Sequence, residues 1–263
     1  MSASKPAVVE LRDVRLSFEE KQVLNGVSLT VEPQDRLVVM GQSGSGKSTI
    51  LRLILGVLPP SDGSVFFKQF EVSRLPRRKL QKVRTQIGMV YQYSALLSSR
   101  NVRDNIALPL EELTRKTAAE IDQIVDEKLE MVGMGEVKNQ MPSELSGGMR
   151  KRVSLARALV MEPELILFDE PSAGLDPVIS SVIDELIISL SEQSKVTSVI
   201  VTHEMDSAFR IGTKMAMLYQ GKIIEVGDAE QFRRSENPVV AQFLSGSTAG
   251  PILEGSQDAF TTK

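Results

Sequence analysis

The chain has 263 residues, 41% of them hydrophobic and 25% charged, enough to bury a sizeable core in one large or two small domains. A net charge of −3 argues against a nucleic-acid binder, and the lack of cysteine excludes a disulfide framework, a thiolate metal site and a cysteine nucleophile. The single histidine rules out a His-rich metal site, no apolar run approaches the roughly 20 residues of a membrane span, and "MSASKPAVVE" lacks the apolar core of a signal peptide, so any work at a membrane is expected to go through a partner.

In chain order, "VVELRDVRLSF" and "VLNGVSLTVEP" alternate with period two and read as strands. "RLVVMG" is a continuous apolar run, expected of a strand buried on both faces. It leads into "QSGSGKSTILRLILGVL", a glycine loop followed by a helix that Pro59–Pro60 stops. "SDGSVFFKQFEV" reads as a hairpin, "RLPRRKLQKVR" at 74–84 as a solvated basic helix face, and "IGMVYQ" as a second buried strand. From about Asn101 to Val160 the pattern is helical, with Ile121, Ile124, Val125, Leu129 and Val132 on one stripe. Strands return at "ELILFDE" and "SVIVTHE", separated by helical "VISSVIDELIISLSEQ", and "KMAMLYQGKIIEVG" closes with a hairpin around Gln220–Gly221. The alternation implies an α/β domain with a parallel sheet flanked by helices, and the helical block reads as an insertion in it.

"GQSGSGKS" at 41–48 fits GxxxxGK[ST] between a buried strand and a helix, the context that motif requires. Its glycines let backbone N–H groups curl around phosphate oxygens; Lys47 is expected to reach the β- and γ-phosphates and the Ser48 hydroxyl to bind Mg²⁺. A glycine–serine turn with a chance lysine is the competing reading, and the flanking strand and helix decide against it. "LILFDE" leaves Asp169 and Glu170 at a strand end, where Asp169 is expected to hold the metal through water and Glu170 to deprotonate the attacking water. Adjacent strand residues point to opposite sides, which suits two roles. His203 ends "VIVTH" in the same position on another strand, so a functional role is expected of it. "LSGGMRKR" at 145–152 is a second bare turn opening a helix, the layout of another anion site.

Together these segments resemble the ATP-binding cassette (ABC) ATPases over nearly the whole chain: "GQSGSGKST" as Walker A, "LSGGM" as signature, "LILFDE" as Walker B, then "SAGLD" and "VTHE". The resemblance implies an ATPase domain over 1–244, with an N-terminal antiparallel β lobe, a mostly parallel core sheet flanked by helices and a helical subdomain at about 101–160. Gly41, Gln42, Ser43, Gly44, Ser45, Gly46, Lys47, Ser48 and Thr49 would bind ATP, and Phe18 would stack on adenine. Gln92 would touch Mg²⁺ and water and sense a transmembrane partner, and His203 would contact the γ-phosphate. Ser146, Gly147 and Gly148 would face the ATP held by a second copy of the chain packed head to tail, with Asp176 in the loop at that interface.

Finer stretches, "YQYSALLSSRNVRDNIALPL", the methionine-bearing signature "ELSGGMRKRVSLARAL" and "VVAQFLSGSTAGPI", are similar to the ATPases of Mla-type (maintenance of lipid asymmetry) systems. That likeness implies a permease above the dimer, a periplasmic lipid-binding MCE-domain protein, a small STAS-domain regulator, phospholipid as cargo, and a place on the cytoplasmic side of the inner membrane. "SSR" at 98–100 departs from the more apolar or acidic stretch of many relatives. An importer ATPase for another small solute is an alternative, because permease and binding protein choose the cargo. A nucleic-acid- or translation-linked cassette ATPase has only the basic run in its favour, and no direct nucleic-acid contact is expected. The tail, 245–263, is too short and polar to fold alone; either it is a disordered end or it docks on the partner ATPase or a regulator with Ile252, Leu253 and Phe260 as anchors.

Overall fold

The computed structural model describes residues 6–254. Strands β1 (Val9–Phe18) and β2 (Lys21–Val31) pair antiparallel. Val9, Leu11, Val14 and Leu16 are buried; the inward alternation slips by one residue at Arg12–Asp13, where the register shifts and Asp13 takes a left-handed φ of 45°. After β3 (Arg36–Met40) and helix α1 (Lys47–Ile54), β4 (Asp62–Phe67) and β5 (Phe70–Glu71) return to this lobe, giving the order β2-β1-β4-β5.

The basic run forms α2 (Arg77–Arg84), whose Val83 is buried while Arg77, Arg78, Lys79 and Lys82 are exposed. Arg84 turns inward and donates to Leu55 O and Gly56 O, both at 2.9 Å, closing the end of α1. Strand β6 (Ile87–Val90) follows, and then the helical subdomain: α3 (Val102–Leu113), α4 (Ala118–Met131) and α5 (Gly147–Leu159). Each of these helices starts on a side-chain cap, from Asn101, Thr117 and Ser146. β7 (Leu165–Asp169), α6 (Pro177–Ser194), β8 (Thr197–Thr202), α7 (Met205–Ile211), β9 (Lys214–Tyr219) and β10 (Lys222–Gly227) complete the core.

The core sheet has the order β10-β9-β3-β8-β7-β6, parallel except for the β9–β10 hairpin. That hairpin turns on Gln220 and Gly221, both at positive φ (47° and 74°), as a two-residue turn between twisted strands requires. The central strands read as unbroken apolar runs because alternate residues enter two different cores. Val38, Met40, Phe168 and Ile200 pack with the helical subdomain, while Leu37, Val39, Leu167 and Val201 pack with α1 and the β lobe. The phosphate loop, the Gln92 loop and the loops that carry Glu170 and His203 leave the C-terminal ends of these parallel strands, where an open α/β sheet presents its crevice. The signature turn instead opens α5 in the helical subdomain.

The described residues end in α8 (Ala229–Arg233), α9 (Pro238–Ser245) and α10 (Pro251–Glu254). Here the fold departs from the tail expected above. The α10 turn folds back on α9: Gln242 is buried and its Oε1 accepts from the Ile252 backbone N–H at 2.8 Å, and Ile252 itself is buried. Ile252 is therefore an anchor within its own chain, a hydrophobic contact that a polar flanking composition hides. Leu253 remains exposed, and Phe260 lies outside the described residues. Among the described residues no helix is long and apolar enough to cross a membrane.

Candidate active site

The phosphate loop is shaped by the sheet beneath it. Gly41, directly after β3, has φ 154°, and a Cβ there would lie 2.3 Å from the Leu218 carbonyl oxygen of β9, so only glycine lets the loop leave the sheet here. Gly46, at φ 104°, precedes α1. Lys47 is buried, and its Nζ donates to Gly41 O (2.9 Å) and Gln42 O (3.0 Å) and lies 3.8 Å from Glu170 Oε1. Burial pushes the Lys47 pKa down, against the opposing pull of the Glu170 and Asp169 carboxylates. Ser45 Oγ is buried and has no hydrogen-bond partner among the described residues. A buried ammonium satisfied by its own loop, an unpaired hydroxyl and glycine-lined backbone form a donor set that suits phosphate oxygens.

Asp169 ends β7, and its Oδ1 accepts from Ser48 Oγ at 2.7 Å, joining two residues 121 positions apart. Glu170 is not a strand residue, so the expected pleat alternation does not separate it from Asp169. Its φ of 49° is left-handed, and its N–H donates to Val201 O (2.9 Å), so a backbone turn aims the side chain. Glu170 Oε2 lies 3.0 Å from His203 Nδ1 and accepts from the His203 backbone N–H at 3.3 Å. One loop end thus lines up Lys47, a buried carboxylate and a half-exposed imidazole. A carboxylate held this way can act as a general base, with its geometry fixed by a neighbour and a cation close by.

Among the described residues no group of three or more His, Asp or Glu side chains gathers into a metal cage. The Ser48–Asp169 pair is of the kind that would hold Mg²⁺, a hydroxyl and one carboxylate that leave room for phosphates and water.

The signature turn is built differently. Ser146 Oγ accepts from Met149 N at 3.3 Å and caps α5, which starts at Gly147. Gly147 and Gly148 face Leu175 and Ile179, with a Cβ on Gly148 only 2.7 Å from Ile179. Among the described residues no hydrogen bond joins this turn to the phosphate loop. Asp176, exposed at the start of α6, accepts from Val178 N (3.0 Å) and Ile179 N (3.1 Å). Phe18 ends β1 at 47% exposure, too open for a core residue. Gln92 is half-buried beyond β6, and its backbone oxygen accepts from Lys151 Nζ at 2.5 Å.

Two features escaped the sequence reading. Buried Lys151 also donates to Glu170 O at 3.1 Å, and burial pushes its pKa down to about 8. The available signal was a lysine four residues before Leu155, on the stripe that α5 buries. The second is an open groove of about 370 Å³ beside the Gln92 loop, walled by Met89, Tyr91, Leu97, Leu108, Leu113 and Met161. Tyr91, Leu97 and Leu113 are exposed there.

A family model described as ABC transporter matches residues 24–173. The chain belongs to that family. It is an ATP-binding cassette ATPase, and the solved structures it resembles share its architecture. The dimeric structure of a post-hydrolysis state of the ATP-binding cassette MJ0796, bound to ADP and Pi, superposes with a TM-score of 0.77 at 31% identity, covering 84% of this chain and 98% of that one. The intermembrane phospholipid transport system ATP-binding protein MlaF of Escherichia coli K12 is 38% identical over 252 residues, 96% of this chain and 94% of that protein. "Probable ribonucleotide transport ATP-binding protein mkl" of Mycobacterium tuberculosis H37Rv is 40% identical over 244 residues, 93% of this chain and 68% of that protein.

Proposed function

We propose that this cassette ATPase is the energy-supplying subunit of a phospholipid transporter that moves lipid between the inner and outer membranes. The single observation that carries the hydrolytic part is the line of Lys47, Glu170 and His203 beside the Ser48–Asp169 pair. In this reading the phosphate loop, 41–49, wraps the nucleotide phosphates, Lys47 neutralises the charge on the β- and γ-oxygens, and Phe18 stacks on adenine. Ser48, Asp169 (through water) and Gln92 would hold Mg²⁺, which supplies charge stabilisation to the phosphates when bound. Glu170 accepts a proton from the attacking water as its oxygen bonds to the γ-phosphorus and the bond to ADP breaks. His203 keeps that carboxylate in place and contacts the γ-phosphate. ADP, phosphate and one proton leave.

The second anion turn belongs to a neighbour's site: Ser146, Gly147 and Gly148 close over ATP bound to a second copy, with Asp176 at the same interface. The dimeric MJ0796 cassette supports that arrangement. The apolar groove beside the Gln92 loop receives the permease, which places the ATPase on the cytoplasmic face of the inner membrane, with an MCE-domain protein on the periplasmic side and a STAS-domain regulator as further partners. Likeness to MlaF over nearly the full length of both chains supports phospholipid as the cargo.

The test joins mutagenesis to cargo analysis. Glu170→Gln is expected to keep ATP binding, lose roughly 10²–10³-fold in hydrolysis and trap an ATP-dependent dimer in size-exclusion chromatography. Near-normal hydrolysis would remove Glu170 as the base. The permease complex, purified with its bound cargo, is expected to carry phospholipid by mass spectrometry. The name of the mycobacterial relative points to ribonucleotide instead, and ribonucleotide without phospholipid in that preparation would overturn the lipid assignment.

A further inference from the structure

Helix α5 does more than present the signature turn. Two of its cations hold the loop that contains Gln92. Arg157 donates to Ser94 O (2.8 Å) and Ala95 O (2.7 Å), two residues at left-handed φ of 61° and 48°. Lys151, one turn into the helix, donates to Gln92 O and to Glu170 O. Lys151 is 5% exposed, and among the described residues no carboxylate comes within ion-pair distance of it. Two of its three donors go to backbone oxygens, each from a different functional loop.

The Glu170 peptide is thereby held at both ends. Its N–H donates to Val201 O in β8, and its carbonyl accepts from Lys151 in α5 and from Ala173 N at 3.3 Å. A residue at φ 49° has few backbone states available, so a shift of the α5 ammonium moves the peptide as a unit and the carboxylate with it. The other end of the same helix turn is Ser146–Gly148. A rigid helix with one anchor at the signature and another on Glu170 transmits displacement from the first to the second.

We propose that Lys151 is a positioning residue that ties the signature turn of each subunit to the backbone of its own Gln92 and Glu170, so that engaging a neighbour's nucleotide sets the subunit's own general base. The proposal rests on the head-to-tail dimer described above. It differs from a packing role in what it predicts: loss of the tether changes turnover and leaves the nucleotide pocket, built on β3 and α1, unaltered.

The test uses the full chain with Lys151→Met, which keeps length without donors, and Lys151→Arg, which keeps charge and donors. Steady-state kinetics and binding of a fluorescent ATP analogue are measured on both. Lys151→Met is expected to lose roughly 10–10²-fold in kcat, the scale of a small misplacement of a reacting group, with analogue affinity within about threefold of the parent. Lys151→Arg is expected to recover most of that loss. In a Glu170→Gln background, Lys151→Met is still expected to dimerise with ATP. Turnover of Lys151→Met within threefold of the parent overturns the proposal, as does an equal loss in the Met and Arg variants accompanied by lost affinity. If Glu170→Gln alone stays monomeric with ATP, the dimer reading fails instead. Should the Met variant not fold, Lys151→Gln carries the same comparison, its shorter amide reaching at most one of the two oxygens.

Discussion

Charged side chains are held in two different ways at the C-terminal edge of the core sheet and in the helical subdomain beside it. In the subdomain, Arg103 meets Asp122 at 2.8 Å, Glu111 at 2.9 Å and Asp104 at 3.0 Å, which raises its pKa and lowers that of Asp122. Asn105, fully buried, donates to Leu97, Arg100 and Asn101 carbonyls and accepts from Leu97 N. At the sheet edge Lys47 is answered chiefly by carbonyls of its own loop, Ser45 Oγ has no partner among the described residues, and Glu170 sits in a left-handed conformation. Arg103 and Asn105 thus find their partners within one chain, while Ser154 Oγ on α5 is the subdomain's buried hydroxyl without a partner among the described residues. The sheet edge concentrates unspent donors and backbone strain, as sites prepared for a polyanionic ligand do.

The contrast breaks most visibly at Lys47. Lys47→Ala removes a charge-assisted donor worth about 1.5–3 kcal/mol, so ATP affinity is expected to fall roughly 10–10²-fold. Equilibrium binding of a fluorescent nucleotide reads this directly, and unchanged affinity would mean that the loop carbonyls, not phosphates, are what Lys47 serves. The melting temperature is expected to move far less than the affinity.

Much of this edge was legible because its elements are contiguous in sequence. The glycine loop lies between one apolar run and one helix, and each apolar strand delivers its polar terminus to the same edge of a parallel sheet. Asp169 and His203 could be placed by that rule alone. Contacts across the fold could not. Lys151 meets Gln92 across 59 positions, and a lysine on an otherwise apolar stripe tells only that something polar awaits it. Strand alternation also misplaced Glu170, since β7 ends one residue earlier and a left-handed turn takes over. Ile252 was legible as an anchor but its partner, Gln242 of the same chain, was not, because a single apolar contact in a Gly- and Ser-rich stretch carries no periodicity.

Phe18 stands at the end of β1 in the β lobe. At 47% exposure it contributes little to either core, so Phe18→Ala is expected to leave stability nearly unchanged. Loss of a base–aromatic stack worth roughly 1–3 kcal/mol should instead raise the ATP KM about 5- to 10²-fold, with kcat retained. Equal nucleotide affinity in parent and variant would return Phe18 to the role of a surface residue.

Asn101 tests the other side of the contrast, and its expected effect is the smallest. Its Oδ1 accepts from Asp104 N at 2.8 Å and supplies the cap of α3, beside the satisfied Arg103 and Asn105 networks. Asn101→Ala should cost about 1 kcal/mol, seen as a melting temperature lower by roughly 2–4 °C. Its backbone carbonyl still accepts from Asn105, so the neighbouring loop keeps its other tethers. ATP KM and kcat of the isolated chain should therefore stay within twofold of the parent. A kinetic defect larger than the stability loss would show that the α3 cap reaches the sheet edge, and that the two regions are not as separate as their polar contacts indicate.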